Sequence, residues 1–256
     1  MAYRDDQDLR FLQHAADKDL NDLVQVLIYD KDGKKRYSEN LSEKATYKKN
    51  TPKHSRYWQD IAEEIQRFGA NGIITNIFRG GKGILYREVL CDVCEKMDVN
   101  FNKDAPVYLI EENLLMKILS TSLEKMSEAD INELARSLGL KNKDLISAEV
   151  LLASFQTIFL AGGFKSYQLT LVIVNAISNA LFGRGLALAG NAMLTRTASI
   201  LTGPIGWAIT GVWTAIDLAG PAYRVTIPAA IQVAVLRKKQ ALTMDDLAKD
   251  LGEALG

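Results

Sequence analysis

The sequence predicts an all-α protein with a polar N-terminal half and an apolar, glycine-rich C-terminal half. Apolar residues recur at helical spacing along most of the chain, and no convincing stretch alternates apolar and polar residues as a half-buried strand does. The stretch 151–236 carries only five charged side chains and nine of the eighteen glycines, whereas the sequence before it is dense in charge. We therefore expect a multi-helix bundle whose two halves differ in chemistry.

The composition narrows the class of function. The 256 residues include 31 basic and 31 acidic side chains, so no net field attracts a polyanion, and no nucleic-acid partner is expected. The N-terminus has neither the apolar core nor the cleavage motif of a secretory signal, which favours the cytoplasm. No catalytic constellation and no cofactor motif is present. The sequence thus predicts a non-enzymatic protein without a cofactor.

The chain divides into four predicted segments: a short helical module over 1–40, an amphipathic helical domain over 41–144, an apolar helical domain over 145–240 and an acidic tail helix over 241–256. Within the first segment, Asp17 is a candidate N-cap. The polar, basic stretch 34–53 is interpreted as a mobile linker or a basic surface, and a solvated loop is favoured over an anion site.

Two strong helical patterns occur in the second segment. One covers 58–69 and ends at Gly69, and the other covers 106–125. Ser127 and Asp130 have the spacing of a cap and its partner, so they predict the start of a further helix.

Cys91 and Cys94 form a Cys-x-x-Cys pair inside a helical pattern. A structural zinc needs four ligands, and the only histidines, His14 and His54, are far away in sequence. Redox motifs of this spacing sit beside a βαβ pattern, which is missing here. Packing is therefore favoured over metal or redox chemistry.

A glycine-rich loop at 79–83 is a candidate anion site. Arg79, Gly81 and Lys82 belong to a loop that opens a helix, where backbone N–H groups can hold a phosphate. However, the P-loop pattern needs Ser or Thr after the lysine, and glycine follows Lys82 here. A flexible connection between two helices is the favoured interpretation, and the anion loop is the alternative.

The apolar third predicts helices near 145–161, 164–182, 186–201, 204–219 and 222–239. Two windows, 166–183 and 197–216, lack charge for roughly the 20 residues that a membrane span needs. Polar residues interrupt the first window, and Gly203-Pro204 breaks the second. The pattern leaves open whether these helices enter a bilayer or form a protein core.

Small residues and a basic cluster mark the candidate contact surfaces. The predicted residues for helix self-association or membrane contact are Gly203, Pro204, Gly206, Gly211, Ala215 and Ala219. The last three recur every four positions, which lets helices approach closely. Arg237, Lys238 and Lys239 follow an apolar helix, as at the cytoplasmic side of an anionic membrane. The alternative is that these cations complement the dipole of their own helix.

Several stretches resemble a YaaW-like family of bacterial proteins. They are 8–13, 58–69, 79–87, 203–206 and, most specifically, 222–229, with Tyr223, Arg224, Thr226 and Pro228. The resemblance covers nearly the whole chain. It implies a ubiquinol–cytochrome c chaperone-like domain preceded by a short helical module, and hence an assembly or chaperone role by analogy. It implies no catalytic residues.

Three hypotheses follow. In the first, the protein associates with the inner membrane and with copies of itself, and the N-terminal half controls exposure of the apolar helices. In the second, it is a soluble chaperone-like module that uses those helices as its core and binds a protein client. In the third, which is the least favoured, an enzyme uses the loop 79–83 on a phosphorylated ligand.

Overall fold

The computed structural model describes residues 3–30, 32–72, 84–137, 147–182 and 222–255. Within these ranges the prediction of an all-α fold is confirmed. The only extended pairing among them is a single antiparallel bridge between Tyr29 and Lys35. Secondary structure is otherwise helical, and long apolar helices supply most of the core.

The described residues form nine α-helices: α1 (Asp17–Ile28), α2 (Ala45–Asn50), α3 (Trp58–Gly72), α4 (Tyr86–Lys96), α5 (Val107–Leu123), α6 (Glu128–Ser137), α7 (Ala148–Ala161), α8 (Gly163–Phe182) and α9 (Tyr223–Leu255). Three 3₁₀ turns accompany them, at Arg10–His14, Leu41–Glu43 and His54–Tyr57.

Helix α9 is the centre of the bundle. Helices α1, α3, α4, α5 and α8 all pack against it. Every residue from 225 to 236 is buried, including the polar Thr226 and Gln232. A helix that is apolar all round is stable in a water-soluble fold only when other elements cover it on every side. Here the covering elements come from both halves of the sequence.

The N-terminal module, defined here as residues 3–37, covers one side of α9. Helix α1 packs directly on α9. Seven of the module's large apolar side chains are fully buried: Leu9, Leu12, Leu20, Leu23, Val24, Leu27 and Ile28. Their spacing in α1 follows the helical period, so a single stripe faces the core.

The two glycine-containing helix ends differ from each other. Helix α3 continues past Gly69 to Gly72, so the predicted stop at Gly69 is wrong. Gly69 instead allows close contact with α4, because a Cβ there would lie 2.5 Å from Val89 Cγ2. Gly162, in contrast, separates α7 from α8 and has φ +67°, a conformation that favours glycine.

The stretch 34–53 is more ordered than a solvated linker. It contains a 3₁₀ turn whose Leu41 is fully buried, and then the short helix α2. Lys44 Nζ lies 2.8 Å from Asp60 Oδ1 and 2.6 Å from Glu63 Oε2 on α3. One buried leucine and these ion pairs attach the stretch to the bundle.

Other predicted helix boundaries can be compared directly. The helices predicted at 145–161 and 164–182 correspond to α7 and α8. Ser127 and Asp130 form the predicted capping contacts, since the Asp130 backbone N–H donates to Ser127 Oγ at 3.2 Å. The predicted tail helix is not separate, because α9 runs without a break to Leu255. Neither Gly nor Pro occurs between Pro228 and Gly252 to stop it.

Several predictions concern residues outside the described ranges. The helices at 186–201 and 204–219 and the loop 79–83 belong to this group. Among the helices that are described, none combines the length and the apolar character needed to cross a bilayer.

Candidate functional site

The residues with the most unusual chemistry lie where the N-terminal module meets α9. Three consecutive cations of α9, Arg237, Lys238 and Lys239, each contact a carboxylate of another helix. We call these three residues the charged collar. Their side chains are 20%, 17% and 29% exposed, so most of each side chain lies inside the bundle.

Arg237 links three elements. Its Nε lies 2.9 Å from Glu111 Oε2 and 3.2 Å from Glu111 Oε1 on α5. Its Nη2 donates to the backbone carbonyl of Asp8 at 2.6 Å, and its guanidinium lies 4.5 Å from the centre of the Phe11 ring. This cation therefore connects the module, α5 and α9 at one point.

Glu111 accepts a further hydrogen bond from Tyr86. The Tyr86 hydroxyl lies 2.8 Å from Glu111 Oε1 and 3.4 Å from the carbonyl oxygen of Ala230. Burial raises the pKa of Glu111, and the charge of Arg237 offsets part of that rise. Burial also raises the pKa of Tyr86 well above its usual value. Tyr86 and Glu111 thus hold α9 against α4 and α5 through their contacts with Ala230 and Arg237.

Lys238 and Lys239 extend the collar to two more helices. Lys238 pairs with Glu112 of α5 and donates to Ser166 Oγ of α8 at 2.8 Å. Lys239 Nζ lies 2.6 Å from Asp19 Oδ2 of α1. This placement differs from the predicted lipid-facing cluster. The physical reason is that acidic side chains of α1 and α5 face the last buried turn of α9.

A second link between the module and α9 involves Pro228. Proline has no N–H, so the carbonyl of Arg224, four residues earlier, loses its helical donor. Arg36 of the module lies at that carbonyl, with Nη2 3.5 Å from Arg224 O, and it also donates from Nε to Val26 O at 3.1 Å. Burial lowers the pKa of Arg36. Pro228 of the predicted motif thus leaves the Arg224 carbonyl without its helical donor, and Arg36 of the module contacts that carbonyl.

The start of the module is attached by another set of hydrogen bonds. Asp6 Oδ2 accepts from the backbone N–H of Tyr86 at 2.6 Å, at the first turn of α4. Gln66 Nε2 donates to the carbonyl of Arg4 at 2.8 Å, and Arg4 N–H donates back to Gln66 Oε1 at 3.0 Å. Module residues are therefore bonded to α3, α4 and α9.

The other predicted motif residues lie at the beginning of α9. The Tyr223 hydroxyl donates to Asp92 Oδ1 of α4 at 3.0 Å, which anchors the first turn. Burial raises the pKa of Tyr223 to about 12. Thr226 is buried, and its Oγ1 has no hydrogen-bond partner among the described residues.

Both cysteines lie on α4, on the side that packs into the bundle. Cys94 is fully buried, and burial raises the pKa of its thiol to about 12, which disfavours the reactive thiolate. Cys91 is partly buried, and burial raises its pKa as well. In the part of the chain that the structure describes, no group of His, Cys, Asp or Glu side chains has a geometry that holds a metal ion.

The remaining predicted contact residues lie outside the described ranges. These are Arg79, Gly81, Lys82, Gly203, Pro204, Gly206, Gly211, Ala215 and Ala219. Sequence reasoning, in turn, missed Glu111, Tyr86 and Arg36. A signal for Glu111 exists, because Leu114 and Leu115 follow it at three and four residues and so share its face of the predicted helix 106–125.

A buried histidine lies beside the module at the turn His54–Tyr57. His54 Nδ1 is hydrogen-bonded to the Tyr57 hydroxyl, and Asp17 Oδ1 of α1 accepts from the Ser55 backbone N–H at 2.8 Å. That backbone N–H lowers the pKa of Asp17. Burial lowers the pKa of His54.

We expect the free energy of unfolding to fall as the pH is lowered from about 7.5 to 5.5, in part through His54. Its folded-state pKa is lowered, so the unfolded chain binds the proton first, below a pKa of about 6.5. Urea denaturation of the His54→Gln variant measures this contribution, and His14→Gln, which changes an exposed histidine, is the control. Equal pH dependence in wild type and His54→Gln would contradict the assignment.

These contacts define a class: a helical-bundle protein in which an N-terminal module is bonded to a buried central helix. Two known families match separate parts of the chain. Residues 53–231 match the family described as Ubiquinol-cytochrome C chaperone. Residues 3–37 match a second family, described as a Domain of unknown function (DUF3944).

Relatives are found along nearly the full length. A UPF0174 protein of Helicobacter pylori (strain J99) is 50% identical over 246 residues, covering 96% of both chains. UPF0174 protein YaaW of Escherichia coli (strain K12) is 32% identical over 247 residues, covering 94% of this chain and 98% of the relative. No solved structure matches the chain. The chain belongs to the UPF0174 family, which includes YaaW, and the resemblance predicted from its motifs is confirmed.

Proposed function

We propose that this chain is a non-enzymatic, chaperone-like interaction protein of the cytoplasm, which binds an apolar segment of a protein client on the outer face of α7. One observation carries the proposal. Of the four large hydrophobic side chains that are exposed in the described residues, two lie on this face: Val150, which is 52% exposed, and Leu160, which is 82% exposed. The matching family, whose description names a chaperone, supports the same role.

The outer face of α7 is suited to an apolar partner. Glu149 is the only charged residue of the helix. The exposed Ala153 and Ala161 are small, and Thr157 Oγ1 donates to Ala153 O at 2.9 Å, so that hydroxyl is satisfied within the helix. Exposed apolar surface that the fold leaves uncovered is typical of interaction sites. The opposite face packs into the bundle through Leu151, Phe155 and Phe159.

The double variant Val150→Asp/Leu160→Asp tests the proposal in an aggregation assay with thermally unfolding citrate synthase as model client. We expect wild type to suppress light scattering and the variant to lose most of that suppression. The control is Tyr37→Asp/Tyr108→Asp, which alters the other two exposed hydrophobic residues and leaves α7 intact. Equal suppression by wild type and the α7 variant would overturn the proposal. So would a loss of thermal stability in the α7 variant as large as that of a core substitution, since the face would then belong to the protein's own core.

A second candidate function is association with the inner membrane and with further copies of the chain. The same face of α7, on which Glu149 is the only charged residue, favours it, because Leu160 and Val150 could insert at a lipid interface. Sedimentation with phosphatidylglycerol vesicles, and sedimentation velocity without them, separate the two candidates. Vesicle binding or self-association that depends on Leu160, combined with unchanged client protection, would favour the second.

A further inference from the structure

The surface beside His54 carries a second candidate interaction site. Four exposed cations surround the turn that joins α2 to α3: Lys18, Lys49, Lys53 and Arg56. We call them the basic joint. Lys18 belongs to the N-terminal module, whereas the others come from residues 49–56. The site is therefore complete only when the module is in place.

Short-range contacts bring these cations together. Arg56 N–H donates to the Lys53 carbonyl at 3.2 Å, so both side chains leave one 3₁₀ turn. The bond from Ser55 N–H to Asp17 places this turn at the first residue of α1, next to Lys18. On the α2 side, Tyr47 and Tyr57 make an edge-to-face contact with ring centres 5.6 Å apart. The residues that carry the four cations thus lie around one turn, which packs against α1 and α2.

The cations of the basic joint make no ion pairs within the described part of the fold, although the charge of Arg56 contributes to lowering the pKa of Asp17. Other cations nearby are paired: Lys44 with Asp60 and Glu63, and Lys48 with Glu43 at 3.0 Å. None of the four cations of the basic joint makes an ion pair with a described residue. Ion pairs within the fold therefore explain Lys44 and Lys48, and they do not explain the four cations of the basic joint.

We propose that the basic joint docks a carboxylate-bearing segment of a partner protein. Charge complementarity requires that the partner segment be negatively charged. The carboxylate of Asp17 is bonded to this turn, and it would repel a continuous polyanion such as nucleic acid or an anionic bilayer. A protein segment can place separate carboxylates at the cations and avoid the position of Asp17. This inference rests on the proposed interaction role and assigns the partner a second chemical feature besides its apolar segment.

Fluorescence anisotropy tests the proposal with a labelled peptide of alternating glutamate and alanine as the probe. We expect the full chain to bind the peptide, and binding to weaken as salt is raised from about 50 to about 500 mM. Lys53→Glu/Arg56→Glu is expected to weaken binding at least about tenfold, and Lys53→Gln/Arg56→Gln to weaken it less. The control, Lys125→Glu/Arg136→Glu, reverses two exposed cations elsewhere and should bind like wild type.

Equal weakening in the control variant would overturn the site, because net charge alone would then explain the effect. Tighter binding of duplex DNA or phosphatidylglycerol vesicles than of the peptide, lost in Lys53→Glu/Arg56→Glu, would overturn the choice of partner. Failure of the proposed function has a different signature. In that case Val150→Asp/Leu160→Asp would protect citrate synthase as well as wild type does, while the peptide still bound at the basic joint.

Discussion

The Glu111→Ala variant is expected to lose about 3–5 kcal/mol of unfolding free energy, because it leaves a buried cation without its partner. Arg237 would keep its charge inside the bundle and, among the described residues, retain only the Asp8 carbonyl as a hydrogen-bond acceptor. The Tyr86 hydroxyl would also lose its 2.8 Å acceptor. Urea denaturation followed by circular dichroism measures the loss.

Two further variants show whether the pairing causes the effect. Glu111→Leu combined with Arg237→Leu removes both charges together, and we expect it to be less destabilising than Glu111→Ala, since no unpaired charge remains. Glu112→Ala should cost less than Glu111→Ala, because the partner Lys238 keeps its hydrogen bond to Ser166. A loss below about 1 kcal/mol for Glu111→Ala would show that the collar is a minor surface contact.

Deletion of residues 1–37 is expected to prevent folding. A fully buried Leu, Ile or Val side chain contributes about 1.5–3 kcal/mol, so the seven buried in the module together contribute about 10–20 kcal/mol. That gross burial term is as large as the net stability of about 5–15 kcal/mol that is usual for a protein, and the deletion would also uncover the side of α9 that α1 contacts.

Solubility and thermal melting of the truncated chain measure this outcome. We expect insoluble protein without a cooperative transition. Coexpression of residues 1–37 as a separate chain is the positive control, since the module's contacts with α9 are non-covalent and its return should restore solubility. A truncated protein that melts cooperatively near the wild-type temperature would contradict the integral role of the module.

Helical periodicity was enough to predict the fold class and most helices. The spacing of Leu20, Leu23 and Leu27 predicts which face of α1 is buried. Gly162 likewise predicts where α7 ends. Periodicity is local, however, and the location of α9 depends on what surrounds it. An apolar helix has the same pattern in a bilayer and at the centre of a bundle, so the sequence of 222–239 does not distinguish the two settings.

The candidate site was harder to predict for the same reason. Arg237 and Glu111 are 126 residues apart, and nothing in either local sequence identifies the other as its partner. The cluster 237–239 resembles a membrane-flanking motif because both settings place cations at the end of an apolar helix. Pro228 is a residue of the predicted motif, but its consequence, an Arg224 carbonyl that lacks the helical donor and contacts Arg36 instead, follows only from the folded chain.

Hydrogen exchange of the backbone amides from 225 to 236 tests the central claim most directly, namely that α9 is the buried core helix of this protein. The measurement is made on the full chain, first alone and then with phosphatidylglycerol vesicles. We predict that these amides exchange among the slowest in the protein, and at the same rate with vesicles as without them, because protein elements already cover the helix. Rapid exchange in water that slows only when vesicles are added would contradict the account.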